Sequence, residues 1–404
     1  MTNSNSDRVD ALVTHACRNV EFYRNLANER GLNVPFNELP LVNKQLYNTY
    51  PSRFRCSTMY EEADVIHKRT TGSTGIPLEI VRTKREQVEF ASAVWIYRRK
   101  WNVPPSSIIV TFDLNPVGQP IVLHARRDGL ADIALSPTDL SDAALERGYH
   151  LLCSPMPKIL FSFPTVADHF ARFIRRNGLQ VKPLNFCHIE LNGEVAMEQQ
   201  RRTIQEVFQC SIANFYGAEE FWPIAYECPR GLLHINTRQL YVELYRNELG
   251  YEELVATSLT LYLMPFIRYR LGDIVVLDRA GCDCGSGDSI IRSVTGRTYD
   301  LVRLANNRVF HPSLFSYAIG RALAGADEII SQYHVTQTSR DGFEISLITG
   351  HRFTAEICTR ITQEIRQALN EAINIDFSYT DSIDTFLLRG KFQTFSSAVS
   401  LSEP

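Results

Sequence analysis

TTGSTGIP, at residues 70–77, is the first of four short patterns that follow one another along the chain, ahead of YGAEE at 216–220, RYRLGD at 268–273 and GRTYD at 296–300. Thr71, Gly72, Ser73, Thr74 and Gly75 have the composition of an anion cradle. Glycines let backbone N–H groups come close to phosphate oxygens, and hydroxyls add further donors. No Gly-Lys-Ser/Thr ending follows, so the loop is not a Walker A sequence. Alone, a solvated Thr/Gly turn would read the same way; the order of the four patterns gives the loop its weight.

Around these patterns the chain is that of a globular protein. Its 404 residues suggest two or three domains. A net charge of -3 offers no basic field, which argues against a nucleic-acid partner. The start, MTNSNSDRVD, has no apolar core of the signal-peptide kind, and no apolar run reaches the length of a membrane span. Nine cysteines, an odd number scattered from Cys17 to Cys358, fit a reducing cytoplasm better than a secreted disulfide scaffold.

Val9, Leu12, Val13, Ala16, Val20 and Tyr23 recur at helical spacing, which predicts one amphipathic helix over 8–30 with a stop at Gly31. Between 107 and 214, apolar runs at 108–112, 159–163 and 186–191 alternate with helical stretches at 166–176 and 196–208, the pattern of a layered α/β domain. After Asp300 the chain reads as a smaller unit, with helices at 314–324 and 354–373 and strands at 329–336, 343–348 and 377–379.

The four patterns, closed by GKF at 390–392, resemble those of the adenylate-forming superfamily of acyl-CoA synthetases, peptide-synthetase adenylation domains and luciferases. Within it the chain is most similar to phenylacetate-CoA ligase and its relatives. LPLVNK at 39–44 resembles the segment that precedes the nucleotide loop there, so the resemblance runs from about Leu39 to Lys391. It implies an α/β fold with a large layered N-terminal adenylation domain, 1–300, and a small α+β C-terminal lid, 301–404, hinged at or near Asp300. It also implies that ATP and Mg2+ convert a small carboxylic acid, aromatic or otherwise hydrophobic, into an acyl-adenylate that is passed to CoA. Two alternatives stay open: transfer to an amine or a carrier-protein thiol, and a zinc-stabilised nucleotide-binding homologue that has lost catalysis. A homodimer is left open as well.

The same resemblance assigns roles. YGAEE aligns with the family's YGxTE, which places Tyr216 against adenine, Gly217 beside it and Glu220 on the magnesium. Gly193 and Glu194, in NGE at 192–194, fall where the family lines the adenine. Asp273 would accept the ribose hydroxyls, since a carboxylate can take two O–H donors at once. Arg297 would reach the nucleotide or brace the hinge. Lys391 would be the lysine that the closing lid brings to the charge growing on phosphorus. Two positions depart from the pattern. Ile76 stands where a lysine usually precedes Pro77, and Glu219 replaces the Thr or Ser whose hydroxyl contacts the phosphate. A carboxylate facing a phosphate is repelled unless magnesium lies between them or the side chain turns away.

A second chemistry lies in ECPRGLLHI and GCDCGSG. Cys228, His234, Cys282 and Cys284 make three thiolates and one imidazole, a complete tetrahedral shell for structural Zn2+ with no open position for catalysis. Some phenylacetate-CoA ligase relatives have similar residues in these two segments. Four unliganded side chains remain the other reading. There is no G-x-S-x-G elbow and no H-E-x-x-H.

Overall fold

The computed structural model describes residues 3–30, 34–56, 61, 64–70, 78–112, 133–135, 140–194, 196, 198–248, 250–278, 281–297, 302–306, 308–310, 312–323, 330–349, 353–380 and 395–399. The glycine-rich loop at 71–77, Asp300 and Lys391 lie outside these residues, as does the side chain of Arg297.

Two compact units divide the chain. Among the described residues, one runs to Ser293 apart from Gly272–Ile274, and the other takes in that short piece and the chain from Val294 onward. In the first unit, Ile108–Phe112, Lys158–Ser162, Phe186–Asn192 and Ser211–Ala218 pair in parallel. Their runs are almost continuously apolar because both sheet faces are covered. Helices Asp142–Leu152, Pro164–Arg176 and Glu198–Phe208 make the crossovers. Helix Pro164–Arg176 starts with proline at its first position, where no N–H is needed, and buries Val166, Phe170, Phe173 and Ile174 along one face.

Among the described residues the main sheet has 12 strands. Its order from one edge is Leu240–Arg246, Glu252–Ser258, Tyr269–Asp278, Ile290–Arg297, Leu233–Ile235, Phe221–Glu227, Ser211–Ala218, Phe186–Asn192, Lys158–Ser162, Ile108–Phe112 and Ile133–Leu135. Val42–Asn43, from LPLVNK, joins as a short parallel strand on Tyr269–Asp278. The segment at 8–30 departs from the single helix expected, forming Asn3–Asn19 and Glu21–Arg30. The joint is Val20, which keeps helical bonds on both sides (Val20 N to Ala16 O and Arg24 N to Val20 O, both 2.9 Å) while bridging to Cys56.

In the second unit, strands Asn374–Tyr379, Gly342–Thr349, Ile330–Gln337 and Phe395–Ser397 form a four-stranded sheet. Phe343, Ile345 and Leu347 point inward at every second position of one strand. They meet Ile357, Ile361, Ile365 and Leu369, spaced four apart on helix Ala355–Leu369. That helix stops four residues short of the expected 373, because Asn370 turns left-handed at φ +51°.

Candidate active site

Strands Ser211–Ala218 and Phe221–Glu227 are antiparallel neighbours in which Ala218 faces Phe221, leaving Glu219 and Glu220 as a two-residue turn. Such turns favour Asn, Asp and Gly. Two glutamates are therefore held here by partners elsewhere in the chain. Glu220 is 8% exposed and accepts a 2.9 Å hydrogen bond from the Tyr269 hydroxyl. The Glu219 carboxylate Oε1 lies 3.6 Å from Arg82 Nη1, while Arg82 Nη2 donates to the Glu219 backbone carbonyl. The carboxylate that breaks the family pattern thus faces a cation.

Arg82 sits in strand Glu79–Thr83 and is 1% exposed. It donates to Gln87 Oε1 at 3.1 Å and lies 4.7 Å above the Phe90 ring. Burial pulls its pKa down, and Glu219, Glu220 and Glu86 pull it back up; a guanidinium stays charged either way. The next residue opens helix Lys84–Lys100 with a reciprocal cap, Thr83 Oγ1 accepting from Glu86 N and Glu86 Oε2 from Thr83 N. Glu86 Oε1 also accepts from Tyr262 N at 2.6 Å and Leu263 N at 3.0 Å, tying the helix start to the approach to RYRLGD.

Alternation within that pattern sorts its side chains. Arg268 pairs with Glu243 and donates to the carbonyls of Asn37 and Leu39, Arg270 pairs with Glu253, and Tyr269 between them reaches Glu220. Tyr269 is set among Tyr47, Phe221 and Phe266. Asp273, 6% exposed, follows Gly272, whose φ is +79°.

Tyr216 is half-buried near the end of strand Ser211–Ala218, and Gly193 directly follows strand Phe186–Asn192. The register Asn192↔Phe215 puts the two side by side at the carboxyl ends of neighbouring parallel strands, where open α/β sheets bind ligands. At Gly193, φ +76°, an added Cβ would lie 2.4 Å from the Phe163 ring. Glu194 accepts from Thr165 Oγ1 at 2.7 Å. The turn, Tyr216, Gly217 and Gly193 thus share one edge of the sheet, and the chemistry that edge can offer is a ring face, open backbone and carboxylates for a metal.

Sequence reasoning missed Arg82, Tyr269 and a polar network under the strands. Arg98 Nε and Nη2 grip the fully buried Glu190 carboxylate, each at 2.7 Å. The Tyr226 hydroxyl donates to the same carboxylate at 2.6 Å, and His188 Nε2 lies 2.9 Å from that hydroxyl. Burial alone would raise the Glu190 pKa, yet Arg98, His188 and Tyr226 bring it below the ordinary carboxylate value. The only sequence signal was charge inside apolar runs.

No protein-family model matches the chain. Phenylacetate-coenzyme A ligase of Thermus thermophilus is 23% identical over 376 residues, 87% of this chain and 82% of that protein. Protein CapK of Staphylococcus aureus is 25% identical over 231 residues, 56% of this chain and 50% of its own length. Among solved structures, 2-hydroxyisobutyryl-CoA ligase in complex with R3-HIB-AMP gives a TM-score of 0.76 at 15% identity, over 98% of this chain and 89% of that one. An anthranilate CoA ligase with anthranoyl-AMP gives 0.58 at 13% identity, over 92% and 75%. The chain thus resembles phenylacetate-coenzyme A ligase along most of both lengths and shares the fold of solved acid-CoA ligases.

Elsewhere in the chain, Cys228, His234, Cys282 and Cys284 come together with their donor atoms all within 4.8 Å of one another. Cys228 Sγ is 3.8 Å from Cys282 Sγ, and Cys284 Sγ is 3.3 Å from His234 Nε2. Tetrahedral zinc with thiolate and imidazole ligands has edges of roughly 3.5–3.8 Å, and these two separations are close to that range, so the donor types and their closeness suit the ion. The Asp288 carbonyl lies 3.3 Å from His234 Nδ1, which leaves Nε2 to face the cluster. Backbone N–H groups of Arg230 and Cys284 point at the sulfurs of Cys228 and Cys282. The Cys284 amide helps lower the Cys282 pKa, while burial raises that of Cys228 and lowers that of His234.

Proposed function

We propose that the protein is a ligase that adenylates a small carboxylic acid with ATP and passes the acyl group to CoA. The observation carrying this reading is the Glu219–Glu220 turn beside Tyr216, anchored by Tyr269 and Arg82. In the first half-reaction a carboxylate oxygen attacks the α-phosphorus, a P–O bond forms, and pyrophosphate leaves. Glu220 holds the magnesium that accompanies the nucleotide, Tyr216 stacks on adenine beside Gly193 and Glu194, and Asp273 accepts the ribose hydroxyls. Lys391, brought by a C-terminal lid hinged near Asp300, steadies charge on the phosphate, with the 71–77 loop and Arg297 adding donors. In the second half-reaction the CoA sulfur attacks the acyl carbonyl, giving a thioester and AMP.

An aromatic or other hydrophobic acid is the proposed substrate class, supported by the similarity to phenylacetate-coenzyme A ligase and to an anthranilate CoA ligase. Pyrophosphate release over a panel of acids, followed by mass spectrometry of CoA reactions, tests the reading. Acid-dependent pyrophosphate with a new CoA thioester is expected. Pyrophosphate without a thioester would move the acceptor to an amine or carrier thiol, and no acid-dependent pyrophosphate would leave a degenerate homologue. Lys391→Ala should lower adenylation by about a hundredfold while sparing ATP binding. We further propose that Cys228, His234, Cys282 and Cys284 hold one structural zinc ion, supported by the closeness of their donors, all within 4.8 Å of one another.

A further inference from the structure

Glu219 poses an electrostatic problem that Glu220 does not. Next to a metal-binding carboxylate and a triphosphate, a second carboxylate either competes for the metal or repels the nucleotide. Arg82 holds both parts of Glu219. Its Nη2 takes the backbone carbonyl, and its Nη1 lies 3.6 Å from the carboxylate while bonded to Gln87 at 3.1 Å. The guanidinium is 1% exposed and packed over Phe90, so it has no room to follow a moving ligand. A charge buried that far needs an opposite charge, and Glu219 supplies it. The dependence runs both ways: the arginine needs the glutamate in order to be buried, and the glutamate needs the arginine in order to sit near phosphates.

We infer that Arg82 is a positioning residue for nucleotide binding, which neutralises Glu219 and fixes the turn so that Glu220 presents its charge to the metal. The inference rests on the adenylation reading and adds to it the group that offsets this chain's departure from the family pattern. Glu219 and Arg82 act as an exchangeable unit, so a neutral hydroxyl at 219 should make the arginine dispensable.

The test is calorimetric titration of Mg-ATP, without acid, into the wild type, Arg82→Met, Glu219→Thr and the double variant. Arg82→Met should weaken binding by about tenfold and steepen its dependence on magnesium, the loss of one neutralising charge at short range. The double variant should bind within about twofold of Glu219→Thr alone, a rescue that a merely structural arginine would not give. If Arg82→Met fails to fold, Arg82→Lys takes its place, with weakening of at least about threefold, again undone by Glu219→Thr. Unchanged binding in the folded Arg82 variant, or equal weakening with and without Glu219→Thr, overturns the inference. A wild type that binds Mg-ATP but releases no pyrophosphate with any acid would instead overturn the adenylation reading, and one that binds no nucleotide would overturn both.

Discussion

His188 is held neutral by what surrounds it. Burial, against the pull of Glu190, lowers its pKa to about 4. A ring carrying its proton on Nε2 donates to Tyr226, which donates to Glu190, while Nδ1 accepts from Ser211 at 2.6 Å. The unfolded chain takes up that proton near pH 6.5, and the native chain does so only near pH 4. Stability is therefore whole above the window and falls as pH drops through it, by about 3 kcal/mol for a shift of this size. Urea midpoints near pH 7 and near pH 4.5 should differ strongly in the wild type and much less in His188→Gln; equal falls would place the acid sensitivity elsewhere. Glu220→Gln retains the acceptor for Tyr269 but removes the charge, so the magnesium needed for half-maximal ATP binding should rise by about tenfold or more. The YGAEE pattern that carries Tyr216 and Glu220 stands out in the sequence because its spacing is local. Arg82 does not, because its partner lies 137 residues away and a lone arginine reads as surface. Its position after Ile80 and Val81, just ahead of the Thr83–Glu86 cap, was the available hint.

At the scale of the element, helix Lys84–Lys100 shows how one side chain can serve two structures. Glu86 completes the helix cap and also receives two N–H groups from 262–263, so Glu86→Ala leaves three donors without their acceptor. The expected loss is about 3 kcal/mol or more, and about half that for Glu86→Gln, read by chemical denaturation. A loss below about 1 kcal/mol would mean that the 262–263 segment finds other acceptors. In the second unit, helices Ser313–Ala322 and Ala355–Leu369 and strands Ile330–Gln337, Gly342–Thr349 and Asn374–Tyr379 follow their hydrophobic periods, whereas Phe395–Ser397 is too short to show one and was not expected. Their ends were less legible. The stop at Asn370 depends on a left-handed residue with no Gly or Pro to announce it.

For the whole molecule, the proposed zinc would couple metal binding to stability. Protein purified without added metal should carry one zinc per chain, and both Cys282→Ser and chelation should lower the melting temperature, with Cys358→Ser as a control outside the cluster. A metal-free protein that melts at the same temperature would remove the ion from the structure. Among the described residues no helix is long and apolar enough to cross a membrane. The sequence conveyed the layered α/β character through local alternation, but not the strand order, which is set by pairing between distant segments. In that order, Ile290–Arg297 lies between Leu233–Ile235 and Tyr269–Asp278, although it comes later in the chain than every other strand of the sheet. The consequence concerns synthesis. As the chain leaves the ribosome, strands from Ile108–Phe112 to Leu233–Ile235 can assemble in turn, while Leu240–Arg246, Glu252–Ser258 and Tyr269–Asp278 gather as a separate patch. Until Ile290–Arg297 emerges, no described strand joins the two, and a nascent protein stalled before residue 290 carries two open seams exposed to the wrong partners.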